Sequence, residues 1–363
     1  MPTFCRHGRF LERCPICSKT LPGAEPARKA AGGAARRRGS SAGSAAGRGA
    51  RLPRGARGEP VRVRRQARAA EDGFSSPLLP GVRASADAER LAQELAFSHG
   101  RLRSLEGDAG ATAAPGFYAE LRAASASGAE APVAGAGATA GVGTGGGGGE
   151  RVERAFWGCF LTAYLCPLDD HDAFAGIRAA LAASSGPGDP PDLDGAPVGP
   201  RGSYDPARGA ATLRAYRGWV EQAGSQADAF GGDPGWTPQR RFERVFERLA
   251  LPGLQRAARY ELLVLLGALG LCPLEADALH VAAGRGADAE DATTLAAKRI
   301  FAIGDVQLLE RRARAVAEAA GTPLAALDLA LANWGAEQRA TLGFGADASD
   351  EQTLSRARDA FGL

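Results

Sequence analysis

Three cysteines and a histidine crowd the start of the chain as Cys5-x-His7-x6-Cys14-x2-Cys17, although the whole sequence holds only six cysteines and four histidines. Thiolates and a neutral imidazole give a zinc ion four short tetrahedral bonds, and a Cys-x2-Cys step aims two sulfurs at one point. Four protein ligands leave no position for water, so residues 1–20 are expected to form a structural zinc knuckle without catalytic chemistry. So short a segment has no core of its own, and metal binding supplies its folding energy. Free thiols in a tail, or disulfides in a secreted protein, are the competing readings. The second lacks an apolar export segment at the N-terminus to support it. Arg6, Arg9, Arg13 and Lys19 place positive charge around the ligands, where it either meets phosphates or keeps a small module in solution.

Other chemistry-bearing side chains lie far from this cluster. Lys298 is the only lysine after residue 70 in a chain that writes arginine for nearly every other cation, and Arg299 follows it. The pair is either a required compact ammonium with a guanidinium neighbour or two charges on a solvated helix face. Asp328 sits between Leu327 and Leu329 in an apolar helix, so its carboxylate either pairs with a basic group or has a raised pKa. Asp305 follows Gly304 and opens a long helical pattern, which makes it an N-cap first and a free acid second. Asp169, Asp170 and His171 form an acidic turn that either caps a helix or offers hard oxygen ligands to a divalent cation. Trp157, Tyr164, Trp219 and Trp334 serve core packing or base stacking.

The elements that must hold these residues are helices. Thr237-Pro238 is a helix start, followed by Phe242, Val245, Phe246 and Leu249 at helical spacing. Thr322-Pro323 repeats it before Leu324, Leu327, Leu331 and Trp334. The segment Arg151 to Leu165 is apolar on nearly all sides from Ala155 onward, predicting a buried central helix ended by Pro167. Further helices are predicted at about 85–105, 115–126, 171–184, 209–223, 254–270, 291–302, 305–320 and 349–361. No stretch alternates with period two, so the body is expected to be all-α. Leu165-Cys166-Pro167-Leu168-Asp169 and Leu271-Cys272-Pro273-Leu274-Glu275 echo each other after apolar helices, as two chance helix stops or as a duplicated unit.

Composition sets the limits around this body. Fifty glycines, 22 prolines and 6% aromatics leave a sizeable part of the chain unable to bury enough apolar surface to order itself. Residues 21–84 are expected to be a disordered Arg/Gly/Ala-rich linker. Residues 85–363 are expected to form the helical domain, with disordered insertions at about 128–149 and 185–208. Gly141-x-Gly143-x-x-Gly146 matches a dinucleotide fingerprint in form, but no strand precedes it and the glycines run on without pattern, so it reads as linker. Residues 1–70 carry 17 basic and 3 acidic side chains, a net +14, while residues 71–363 carry a net −11. The basic arm can pair with nucleic acid, with an anionic membrane surface or with the acidic body. It has no aromatic platform between residues 21 and 70, so contact with nucleic acid would be to phosphates and sensitive to salt. The apolar run Leu262 to Cys272 is shorter than the ~20 residues that span a bilayer. A cytoplasmic protein without a membrane span is expected.

The junction from Leu249 to Ala258 leaves room only for a tight turn between two helices. Such a unit points free amides and a positive dipole end at a phosphate, with Gly253 admitting a close backbone, Gln255 in the turn and Arg256 adding charge. Arg240 and Arg241 lie on the helix before it. The sequence Leu251-Pro252-Gly253-Leu254-Gln255 resembles the hairpin of the helix-hairpin-helix DNA glycosylases, with Gln255 in place of that family's second glycine and Ala257 where some members carry a catalytic lysine. The resemblance places Glu275 near the family's catalytic aspartate, with Asp277 and His280 close by.

A longer stretch, from about Phe117 to Gly343, resembles the helical alpha-glutamyl/putrescinyl thymine pyrophosphorylase type. It is carried by Ala155-Phe156-Trp157-Gly158-Cys159-Phe160-Leu161, Ala297-Lys298-Arg299-Ile300-Phe301 and Leu327-Asp328-Leu329-Ala330-Leu331-Ala332-Asn333-Trp334. This resemblance implies DNA as partner and displacement of pyrophosphate from an activated hydroxymethyl pyrimidine by an amine. That chemistry needs cations for the leaving group, a pocket for an extruded base and a carboxylate to take a proton. Lys298, Asp305, Asp328 and Glu275 are the catalytic candidates. Arg240, Arg241, Gly253, Gln255, Arg256 and Arg299 are the candidates for nucleic-acid contact. A non-catalytic zinc-containing nucleic-acid-binding protein, or an interaction adaptor, is the alternative.

Overall fold

Helix α11 (Leu324–Gly335) is apolar around most of its circumference, and ten of its twelve residues are buried, so it must be surrounded by other helices. In the computed structural model α1 (Ser85–Glu106), α9 (Ala292–Phe301) and α10 (Val306–Ala320) pack against it, and α12 (Glu351–Phe361) closes over α1 and α10. The second apolar helix, α3 (Gly146–Leu165), gathers α2 (Gly116–Ala129), α4 (Ala175–Ala183), α6 (Gln226–Gly231) and α8 (Arg256–Ala268). Helix α5 (Gly209–Ala223) packs on α6, and α7 (Pro238–Arg248) on α6 and α8. Because α8 touches both α3 and α1, one continuous core joins the two groups. The structure describes residues 69–129, 146–168, 172–184, 186–281 and 291–363, all within a unit that begins at Arg64. Among them every regular element is helical, and the body is all-α.

Local chemistry explains the helix ends. The Thr237 hydroxyl accepts from the Arg240 amide with Pro238 in the first turn, and Asp305 caps α10 by accepting from the Leu308 amide. The start at Thr322-Pro323 differs from its expectation. Pro323 itself is the N-cap, and the Thr322 hydroxyl is buried without a partner. Helix α3 ends at Leu165 before Pro167, as its proline requires. Its start lies earlier than the pattern predicted, in the glycine run at Gly146. Trp157 is fully buried on it, in a column where Trp157 stacks on Phe160 at 5.1 Å and Phe160 on Tyr216 at 3.9 Å.

Two expected boundaries are corrected. Residues 69–84 belong to the folded body and not to a linker: Leu79 and Val82 are buried, and the Gly81 amide donates to Ile300 O at 2.8 Å. The stretch 185–208, expected to be a disordered insertion, is held to the core over its described residues. The Gly199 amide donates to Leu165 O and the Ser203 amide to Tyr164 O, each at 2.8 Å, and Arg201 is buried. The Cys-Pro echo is not a repeated unit in the backbone. Helix α3 runs up to Cys166, which adopts φ 54°, whereas α8 stops at Ala268 and a Gly270 turn intervenes before Cys272.

Candidate functional site

Near the end of α1, α7 and α8 splay apart over the start of α11 and leave a cleft of about 370 Å³. Its walls are apolar, with Leu102 from α1, Phe242 from α7, Val264 from α8 and Leu274 from the following loop. Two carboxylates, Glu106 and Glu275, are the acids of this lining. Glu106 is the last residue of α1, where unsatisfied carbonyls disfavour negative charge. Partial desolvation at the cleft rim, and then the nearby Asp108 carboxylate, push its pKa above the usual range, although the residue stays exposed. Glu275 is positioned by the start of α7: Gln239 Nε2 donates to its Oε2 at 2.7 Å, and its amide donates to Pro238 O. The buried Arg241 fixes the loop beneath, donating to Gly231 O at 2.7 Å and to Pro273 O at 3.0 Å. Chemically the cleft offers an apolar slot for a flat group and, on its rim, an exposed carboxyl whose pKa is raised.

Of the proposed catalytic residues only Glu275 lines this cleft. Asp328 is buried on α11 and resolves its alternatives in favour of pairing. Its Oδ1 accepts from Arg256, and its Oδ2 accepts from Arg201 at 2.5 Å. Burial opposes its charge, and the two guanidiniums outweigh that, holding the carboxyl below the usual carboxylate range. Arg256 also bonds Asp291, the N-cap of α9, at 3.1 Å. Asp305 caps α10 at the surface, and Lys298 is half-buried on α9. The adjacent Arg299 is exposed, with its guanidinium 5.8 Å from the Trp334 ring centroid.

The hairpin between α7 and α8 is a tight turn closed by the Leu254 amide on Leu251 O, with Gly253 at φ 80°. A side chain at Gly253 would lie 2.1 Å from Thr212 Oγ1 on α5, so the turn is pressed against that helix. The Gln255 amide donates to Ser203 Oγ at 3.0 Å, and Arg256, Ala257 and Ala258 are buried. The first turn of α8 therefore points into the fold, and the Arg256 guanidinium reaches carboxylates inside it. Arg240 is exposed on α7, next to the buried Arg241.

His280, beyond the cleft loop, stacks on Phe246 at 4.4 Å. Burial, and then the Arg256 charge, lower its pKa to about 4. Trp157, Tyr164 and Trp334 are core side chains, while Trp219 is half-buried.

Cys5, His7, Cys14 and Cys17, like Asp169, Asp170 and His171, lie outside the described residues. Among the described residues no group of three or more His, Cys, Asp or Glu could hold a metal ion, and no single helix is long and apolar enough to cross a membrane. Comparison of the chain with protein-family models, with curated proteins and with solved structures finds no match in any of the three.

Proposed function

We propose that the chain is a DNA-associated, base-modifying enzyme that accepts an extruded pyrimidine in the cleft bounded by α1, α7 and α8. The observation that carries this reading is the joining of apolar walls to two rim carboxylates, Glu106 with its raised pKa and Glu275 held by Gln239. A flipped base needs an apolar slot, and an amine nucleophile needs a base to receive its proton. In the proposed reaction the bond from the pyrimidine methylene carbon to the pyrophosphate oxygen breaks, and pyrophosphate leaves with the electron pair. The amine nitrogen bonds to that carbon, and its surplus proton passes to Glu106. Arg240, exposed on α7, contributes positive charge toward the DNA backbone. A structural zinc ion on Cys5, His7, Cys14 and Cys17, and the +14 arm, complete the reading as means of holding nucleic acid.

A second reading is a non-catalytic nucleic-acid-binding scaffold. It is favoured by the inward use of Asp328, Arg256 and Arg241. Incubating the full chain with DNA that carries pyrophosphorylated hydroxymethyluracil, together with candidate amines, separates the two. Nucleoside masses that show the amine joined to the base support the enzyme. Binding of the DNA with an unchanged base supports the scaffold.

A further inference from the structure

A second cleft, of about 420 Å³, opens between α2, α3 and α4, away from the residues discussed above. We propose that it is a binding site for a nucleoside phosphate, an inference independent of the reaction proposed above.

Three arginines border this cleft. Arg151 and Arg154 are three residues apart near the start of α3 and share a face of the helix. Arg178 comes from the first turn of α4. Glu120 is the single acid in the lining, and Asp172 pairs with Arg178, so the three arginines outnumber these acids by one. Arg178 stands in the first turn of α4, which brings the positive end of that helix dipole near the space, and the α4 N-cap, Phe174, supplies no side-chain acceptor.

Arg178 is aimed, not merely present. It donates to Asp172 Oδ1 at 2.6 Å, and its guanidinium stands 5.9 Å from the Phe117 ring centroid. Phe117 is itself stacked on Phe174 at 4.6 Å. The floor beneath the arginines is apolar, made by Leu121, Ala155 and Leu181 with Phe117.

This combination selects its ligand. Guanidinium forks match the oxygens of a phosphate and bind it bidentately. A bare phosphate would leave the apolar floor wet, whereas a planar ring joined to a sugar covers it and places its phosphate among the arginines. A nucleoside without phosphate brings no anion to the arginines. The ligand therefore joins both parts in one small molecule.

Isothermal titration of the full chain with ADP, AMP, adenosine and inorganic phosphate tests this. Oligonucleotides with and without a 5′-phosphate distinguish a free nucleotide from a nucleic-acid end. The expected result is saturable binding of ADP and AMP, with adenosine, phosphate and both oligonucleotides at least roughly tenfold weaker. Arg154→Glu, at an exposed position, is expected to weaken ADP by roughly tenfold or more with an unchanged circular dichroism spectrum, and Arg151→Glu provides a second variant. Adenosine binding as tightly as ADP, ADP binding indifferent to both variants in their folded state, preference for the 5′-phosphorylated oligonucleotide, or no nucleotide heat at all would overturn the proposal.

Discussion

Asp328 and Arg201 are 127 residues apart in sequence, and their side chains meet at 2.5 Å in the interior. The other carboxylate oxygen of Asp328 accepts from Arg256. One acid on α11 thereby ties an irregular loop and the start of α8 into the core. The charges inside are balanced: Arg101 pairs with Glu261 nearby, and Arg256 also meets Asp291.

Removing the central acid leaves two guanidiniums buried without their shared partner. Asp328→Asn is expected to cost about 3–5 kcal/mol of unfolding free energy in urea titration. A loss below about 1 kcal/mol would show that the network is not a structural tie.

The same residue sets an acid limit. The Asp328 pKa is lowered in the fold, so its contribution is fully present above the unfolded carboxylate pKa of about 4 and is lost as pH falls through the lower folded value. Thermal unfolding measured from pH 5 downward is expected to show this loss in the wild type and a shallower decline in Asp328→Asn.

His280 works in a different window. Its folded pKa is about 4, against about 6.5 when unfolded, so between these values the unfolded chain binds the extra proton. Stability is expected to fall as pH drops from about 6.5 to about 4. His280→Leu should remove that slope; an unchanged slope would place its origin in other groups.

Close backbone approach gives a further test. A Cβ at Gly100 of α1 would lie 1.8 Å from Ala348 O, in the turn before α12. Gly100→Ala is expected to destabilise the fold by more than about 1 kcal/mol, although alanine favours helices by about that amount elsewhere. A stabilised variant would mean that α1 and this turn are not in contact.

Helix identity was legible because apolar spacing and caps act locally. Residues 209–223 coincide with α5, and Asp305 and Thr237 cap as their side chains dictate. What could not be read was long-range pairing. Asp328 announced a buried charge by standing between two leucines, but nothing local named Arg201 or Arg256 as its partners. Glu261 and Arg101 carry the same signal, a charge inside an apolar helix face, and they pair with each other. Arg256 looked like an outward cation because its place after the turn is set locally, whereas its direction is set by Asp291 and Asp328. Glu106 gave no signal in the sequence, since the desolvation that is the first cause of its raised pKa is set by packing. Residues 69–84 and 185–208 misled because short, Gly- and Pro-rich segments can be ordered by hydrogen bonds to a core they do not themselves build.

The central claim is that the Glu106 cleft performs proton transfer during base modification. Its most direct test compares wild-type protein and Glu106→Gln on DNA bearing pyrophosphorylated hydroxymethyluracil with an amine donor, by the rate at which the modified nucleoside mass appears. The account predicts product with the wild type and a rate lower by roughly 10²–10⁴-fold in the variant, with DNA binding retained. Equal rates in the two proteins, or no product from the wild type with any amine, would contradict it.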